Sequence, residues 1–123
     1  MTRKCLDSYA LVEIARGNSR FTSYLSEEVV ITHLTLVEFY GVLLREEGEK
    51  TAEYWFGKLT PYAAPVSLDI LKAAVVFRYL HRKQRISFFD AVGYLYSLNN
   101  HFLFVTGDKE FKGRENVEHK KAI

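Results

Sequence analysis

Apolar residues fall into short blocks along this chain, some continuous over about four positions and others recurring at three- and four-residue intervals. Lys4-Cys5-Leu6 predicts a short strand ending at Asp7, after which Ala10, Leu11, Ile14 and Ala15 recur at helical spacing until Gly17-Asn18 stops them. Ser19 to Ser26 predicts a second short helix, and Val29-Val30-Ile31-Thr32 is β-branched throughout, as a buried strand requires. The next helix presents Leu36, Phe39, Tyr40, Leu43 and Leu44 on one face, and Arg45-Glu46-Glu47 leads to Gly48 as its stop.

Glu49 to Leu59 predicts another helix, whose adjacent Tyr54, Trp55 and Phe56 cannot all face inward. Pro61 and Pro65 then bracket a loop with a weak strand near Val66. The longest helical signal runs from Ser67 to about Arg85, with Leu68, Leu71, Val75 and Tyr79 on one stripe and Ile70, Ala73, Phe77 and Leu80 beside it. So broad a stripe predicts substantial burial. Ala91, Val92, Leu95 and Leu98 mark a further helix closed by Asn99-Asn100, followed by the continuous apolar run Phe102 to Val105 and a short strand at Val117.

Strands alternating with helices, the strands apolar throughout, predict an α/β fold with a mainly parallel sheet covered by helices on both faces. No repeat, linker or low-complexity segment interrupts residues 1–123, so a single domain is expected. Ligands of such open sheets bind at the carboxyl ends of the strands, which directs attention to Asp7 and Asp108.

Composition excludes more than it identifies. A net charge of +2 makes no general electrostatic case for nucleic acid, so any such binding must come from local patches. The lone Cys5 rules out an internal disulfide, and His33, His81, His101 and His119 are too scattered for a short-spaced zinc motif. The basic start Met1-Thr2-Arg3-Lys4 has no apolar stretch behind it and no long apolar span follows, so a cytoplasmic location with no membrane partner is expected.

Four carboxylates carry the candidate chemistry, and each also has a plain capping role. Asp7 opens the first helix, where its side chain would accept a backbone N–H. Thr35-Leu36-Val37-Glu38 fits the capping-box pattern, and Ser87-Phe88-Phe89-Asp90 approximates it with Asp in the last place. Asp108, in Thr106-Gly107-Asp108, suits a turn or a cap. Their order is more informative than any one of them: an acid after the first strand, one in a middle helix, one opening a late helix and one after a late strand. The blocks Cys5-Leu6-Asp7-Ser8, Thr35-Leu36-Val37-Glu38-Phe39, Ser87-Phe88-Phe89-Asp90-Ala91 and Phe104-Val105-Thr106-Gly107-Asp108-Lys109-Glu110-Phe111 resemble the four sequence blocks of the PIN-domain family, and the resemblance spans essentially the whole chain.

That resemblance implies a three-layer α/β/α sandwich whose acids converge at one edge of the sheet. It makes Asp7, Glu38, Asp90 and Asp108 the catalytic, metal-holding carboxylates, with Ser8 and Thr106 as supporting hydroxyls, while Glu110 is open to two readings, an outer acid or, more commonly for a charged turn residue, a solvated surface position. Tyr94 departs from the pattern, because relatives often carry a smaller side chain there. Converging carboxylates repel by about 4 kcal/mol per pair at roughly 4 Å with an effective dielectric near 20, a conflict that a divalent cation removes. Oxygen ligands without His or Cys select Mg²⁺ or Mn²⁺ over Zn²⁺. The implied reaction is metal-dependent hydrolysis of RNA phosphodiester bonds, leaving 5′-phosphate and 3′-hydroxyl ends.

Lys109, Lys112 and Arg114 follow Asp108 closely enough to line the same mouth, and Arg82 and Arg85 lie in a basic run that could steer a phosphate backbone. That second group also suits the C-terminal end of a helix dipole. Eight Tyr, nine Phe and one Trp exceed the needs of one small core, so aromatic surface is expected to meet another subunit or a protein partner. Small stand-alone PIN chains resemble VapC-type toxins, which implies a homodimer and a short protein antitoxin as partners beside the RNA substrate. Two other classes compete: a catalytically weak PIN-like RNA-binding or protein-interaction scaffold, and a phosphatase. The second lacks both an Asp-x-Asp pair and a Gly-rich phosphate loop.

Overall fold

The computed structural model describes residues 3–123, so Met1 and Thr2 of the basic start lie outside the described residues. Strands β1 (Lys4–Leu6), β2 (Val29–Thr32), β3 (Ala63–Ala64), β4 (Leu103–Thr106) and β5 (Val117–His119) form one sheet in the order β3-β2-β1-β4-β5. Every pairing in it is parallel. The helices are α1 (Ser8–Ala15), α2 (Ser19–Thr22), α3 (His33–Glu46), α4 (Glu49–Leu59), α5 (Leu68–Leu80) and α6 (Phe88–Asn100).

Successive strand residues point to opposite faces, and this alternation divides the core in two. Leu6, Ile31 and Val105 enter one cluster with Leu11, Phe21, Phe39 and Leu59, under α1 to α4. Their neighbours Cys5, Val30 and Phe104 enter the other with Ala74, Val92 and Phe111, under α5 and α6. Three layers result. Tyr94 fills the second cluster, 3% exposed, its ring against Phe77, Phe104 and Phe111.

The chain leaves β1 for β2 and β3 on one side and returns to β4 and β5 on the other. Strand order therefore reverses between β1 and β4, and a crevice opens at their carboxyl ends. The turns carrying Asp7 and Asp108 flank it, joined where the Asp7 N–H donates to the Val105 carbonyl at 3.1 Å.

Several boundaries differ from the sequence expectation. The region from Ser19 to Ser26 splits into α2 and a 3₁₀ turn over Ser23–Ser26. The weak strand lies at Ala63–Ala64, not at Val66: Pro65, which has no N–H to donate, follows its last residue. The strand expected from Phe102 begins one residue later, at Leu103. Helix α5 stops at Leu80 rather than near Arg85, capped by His81, whose N–H donates to the Phe77 carbonyl at 3.0 Å.

The expected burial of α5 is also corrected. Ala74 is its one fully buried residue, while Leu68, Val75 and Tyr79 of the supposed core stripe are 82%, 57% and 64% exposed, and Leu80 beside them is exposed too. Ile70, Leu71 and Phe77 pack partly on the core, so the helix is apolar on two faces and this chain covers only one. In α4, Trp55 and Phe56 pack on the core while Tyr54 is 60% exposed. Among the described residues no helix is long and apolar enough to cross a membrane.

Candidate active site

Asp7 stands in extended backbone between β1 and α1, where its Oδ1 accepts the Ala10 N–H at 3.0 Å and caps the helix. It is 2% exposed. Asp108 caps the 3₁₀ turn Lys109–Phe111, its Oδ1 accepting the Glu110 N–H at 3.0 Å. The buried Thr106 joins the two: its Oγ1 accepts the Asp108 N–H at 3.0 Å, and its hydroxyl faces the Asp7 carboxyl and favours the charged form. Asp90 is held in the first turn of α6, where the Ser87 Oγ accepts its N–H at 3.1 Å.

Glu38 does not belong to a capping box. Helix α3 begins before Thr35 and is capped by Thr32, whose Oγ1 accepts the Thr35 N–H at 3.1 Å. Glu38 thus lies inside the helix, and its buried Oε1 has no hydrogen-bond partner. An orphaned carboxylate oxygen is costly to bury, so helix capping leaves this residue unexplained.

The acids share one electrostatic environment. Burial, with the charges of Glu38 and Asp108, pushes the Asp7 carboxyl up to about 7 despite the bonds from Thr106 and Ala10. Burial, then the charges of Asp7, Glu38 and Asp108, pushes Asp90 up to about 8. Burial also raises Glu38, opposed by the Ser8 hydroxyl beside it. Without a counter-charge, protons must be retained near neutral pH.

A cleft of about 500 Å³ opens beside this cluster, lined by Asp7, Ser8, Asp90 and Asp108, by Tyr9, Val12 and Glu13 of α1 and Arg16 at its C-terminal cap, by Val42 and Glu46 of α3, and by Gly107, Lys109 and Lys121. Among the described residues, no three His, Cys, Asp or Glu side chains stand close enough together to hold a metal ion between them. The donor set nevertheless fits a hard divalent cation: carboxylate oxygens, two of them on groups raised by burial and by neighbouring carboxylates, and one buried oxygen without a partner.

Of the expected RNA contacts, Lys109 lines the cleft, whereas Lys112, Arg114, Arg82 and Arg85 do not. Arg114 donates to Gln84 at 2.7 Å and lies over the Phe77 ring; Arg82 donates to the Tyr79 carbonyl at 2.9 Å and lies over the Tyr79 ring. Glu110 accepts from Gln84 at 3.1 Å, so it belongs to this Gln84-Arg114 chain. The cleft also holds residues that the sequence pattern did not single out. Val42 and Glu46 follow Glu38, which does not itself line the cleft, at four-residue intervals on α3, a spacing that marks a common face. Arg16, at the C-terminal cap of α1, bridges Glu13 of that helix at 3.2 Å and Glu46 at 3.4 Å. Nothing local in the sequence marks Lys121, which arrives from the far end of the chain.

No protein-family model matches the chain, and no curated protein matches its sequence. Solved structures do match it in fold. It is similar to Mycobacterium tuberculosis VapC20, a sarcin-ricin loop cleaving toxin, at a TM-score of 0.79 and 18% identity over 96% of this chain and 99% of that one. A toxin–antitoxin complex from Klebsiella pneumoniae follows at 0.72 and 16%, over 98% of both chains. VapBC2 from Rickettsia felis, bound to a DNA fragment from its promoter, matches at 0.71 and 13%, over 95% of this chain and 98% of that one. The chain thus shares the three-layer α/β/α fold of the VapC20 toxin, of the Klebsiella pneumoniae toxin–antitoxin complex and of VapBC2.

Proposed function

We propose that this chain is a divalent-metal-dependent endoribonuclease that hydrolyses RNA phosphodiester bonds in the cytoplasm as the toxin of a toxin–antitoxin pair. The observation that carries the proposal is the meeting of Asp7, Glu38, Asp90 and Asp108 in one electrostatic environment at the sheet's crevice, with Asp7 and Asp90 raised by burial and by their neighbours' charges. Helix capping accounts for the backbone positions of Asp7 and Asp108 but not for the convergence of the four acids, and not for the unpartnered Glu38 oxygen.

In this reading the four carboxylates hold Mg²⁺ or Mn²⁺. When bound, the cation supplies charge neutralisation at the phosphate and lowers the pKa of the attacking water. Thr106 fixes Asp7 and Asp108 relative to each other, and Ser8 orients Glu38. Burial of Asp7 beneath its own helix cap keeps bulk water from screening the cluster. A scissile phosphate at the cleft would meet Lys109 at its rim.

The toxin assignment and a short protein antitoxin are supported by the neighbours that are toxin–antitoxin complexes. A homodimer is supported by the exposed apolar face of α5. The test is Asp7→Asn and Asp90→Asn, since Asn can cap a helix but supplies no negative charge to a cation. Folded variants that no longer cleave RNA with Mn²⁺ or Mg²⁺ are expected. Unchanged cleavage by both overturns the assignment, and a wild-type protein that neither binds metal nor cleaves RNA favours the scaffold class.

A further inference from the structure

The last residues of the chain are not a loose end. Beyond β5 the backbone folds back over α1 and is tied at successive positions. The Lys120 N–H donates to the Thr106 carbonyl at 2.9 Å, the Ala122 N–H to the Tyr9 hydroxyl at 2.9 Å, and the Asn18 side chain to the Ala122 carbonyl at 2.9 Å. Arg20 Nε donates to the Lys121 carbonyl at 3.0 Å, and Lys120 Nζ to the Arg20 carbonyl at 2.9 Å. Side chains alternate along extended backbone: Lys120 lies over the Tyr24 ring, 4.9 Å from its centroid, while Lys121 goes to the acid cleft, its Nζ 5.9 Å from the centroid of Tyr9.

We propose that this latched tail is part of the substrate site, with the Lys121 ammonium binding a backbone phosphate of the RNA at the cleft rim. The inference rests on the nuclease reading and adds a substrate-binding residue to it. A cleft lined by the carboxylates of Asp7, Glu13, Glu46, Asp90 and Asp108 repels a polyanion, so the rim must supply positive charge. Three cations line it. Arg16 is committed to Glu13 and Glu46, whereas Lys109 and Lys121 enter no ion pair among the described residues. A lysine anchored by its backbone, its ammonium against only the Tyr9 ring, can bind phosphate without first breaking an ion pair.

Lys121→Gln, Lys121→Arg and Tyr9→Phe test this, with Tyr9 as the positioning residue whose hydroxyl holds the tail. The readouts are kcat, KM and the salt dependence of RNA binding, alongside thermal melting. Lys121→Gln is expected to melt with wild type and to raise KM roughly tenfold with kcat within about twofold. Its salt slope should be shallower by about 0.7, the share of a single phosphate on single-stranded RNA. Lys121→Arg restores the slope, and Tyr9→Phe raises KM in the same direction by a smaller factor. If wild type cleaves RNA and Lys121→Gln matches it in KM and salt slope, the tail has no such role and the nuclease reading stands. If wild type neither binds nor cleaves RNA under any metal condition, both are overturned.

Discussion

The ring of Tyr9 occupies the space into which any side chain at Gly107 would project. Tyr9 follows Asp7-Ser8 and Gly107 precedes Asp108, so the two acid-bearing turns beyond β1 and β4 are packed together at this contact. The same tyrosine accepts the Ala122 N–H through its hydroxyl. One side chain therefore touches both halves of the crevice and the tail that crosses it.

Gly107→Ala should consequently disturb more than one residue. The added methyl forces the Tyr9 ring aside, an overpacking that costs about 1–3 kcal/mol, and moves the Asp108 turn with it. A lower urea midpoint and reduced RNA cleavage are expected. A double-mutant cycle isolates the cause: in a Tyr9→Ala background the substitution should cost much less. An equal cost in both backgrounds would show that the ring is not responsible.

The arrangement of strands and helices was legible because local signals agreed: the β-branched run Val29 to Thr32, glycine at the positive-φ position 17, and the continuous apolar run Phe102 to Val105. Other features depend on what local pattern cannot report. Thr32, Thr35 and Glu38 form overlapping three-residue spacings, and only the observed start of α3 shows that Thr32 is the cap and Glu38 lies inside the helix. Leu68, Val75 and Tyr79 have the periodicity of a core face, but periodicity records an apolar stripe and not what covers it. The acids' order suggested their common site, while Lys121 depends on a contact between Asn18 and Ala122 spanning 104 residues.

Thr106 carries a second prediction. Thr106→Val keeps the shape of the buried side chain but removes the acceptor for the Asp108 N–H and the hydroxyl facing Asp7. Leaving such groups unsatisfied costs about 1–3 kcal/mol, so the variant should unfold at lower urea and cleave more slowly. Thr106→Ser should recover most of both losses. A valine variant as active and stable as wild type would remove Thr106 from the site.

The raised acids fix the sign of a pH effect in the metal-free protein. Asp7 at about 7 and Asp90 at about 8 hold protons in the folded state that an unfolded chain, with carboxyls near 3.8, has released. The native state therefore binds more protons between roughly pH 4 and 8, and stability must fall as pH rises through that window, by about 1.4 kcal/mol per pH unit for each full proton of difference. In EDTA, melting at pH 5.5 should exceed melting at pH 8.5, and Asp90→Asn should flatten the trend. Mn²⁺ should raise the melting temperature most at the higher pH, where the carboxylates are charged. A metal-free protein that gains stability across this interval would contradict the shared environment of the four acids.

The exposed side of α5 supplies the last prediction. Leu68, Val75, Val76, Tyr79 and Leu80 are each at least half exposed and lie along a single helix. Contiguous apolar surface of this kind marks an association site more often than a solvated face. Because these side chains lie outside both core clusters, Val75→Glu with Tyr79→Glu should leave the protomer folded, with a melting curve near that of a wild-type monomer. Light scattering should give twice the chain mass for wild type and one chain mass for the double variant. The Asp7, Glu38, Asp90 and Asp108 cluster is assembled within one chain, so a monomeric variant should retain its RNA cleavage per chain. Loss of cleavage with an intact fold would mean that the partner copy completes the cleft, whereas a wild type that stays monomeric at high concentration would leave this face to a different protein.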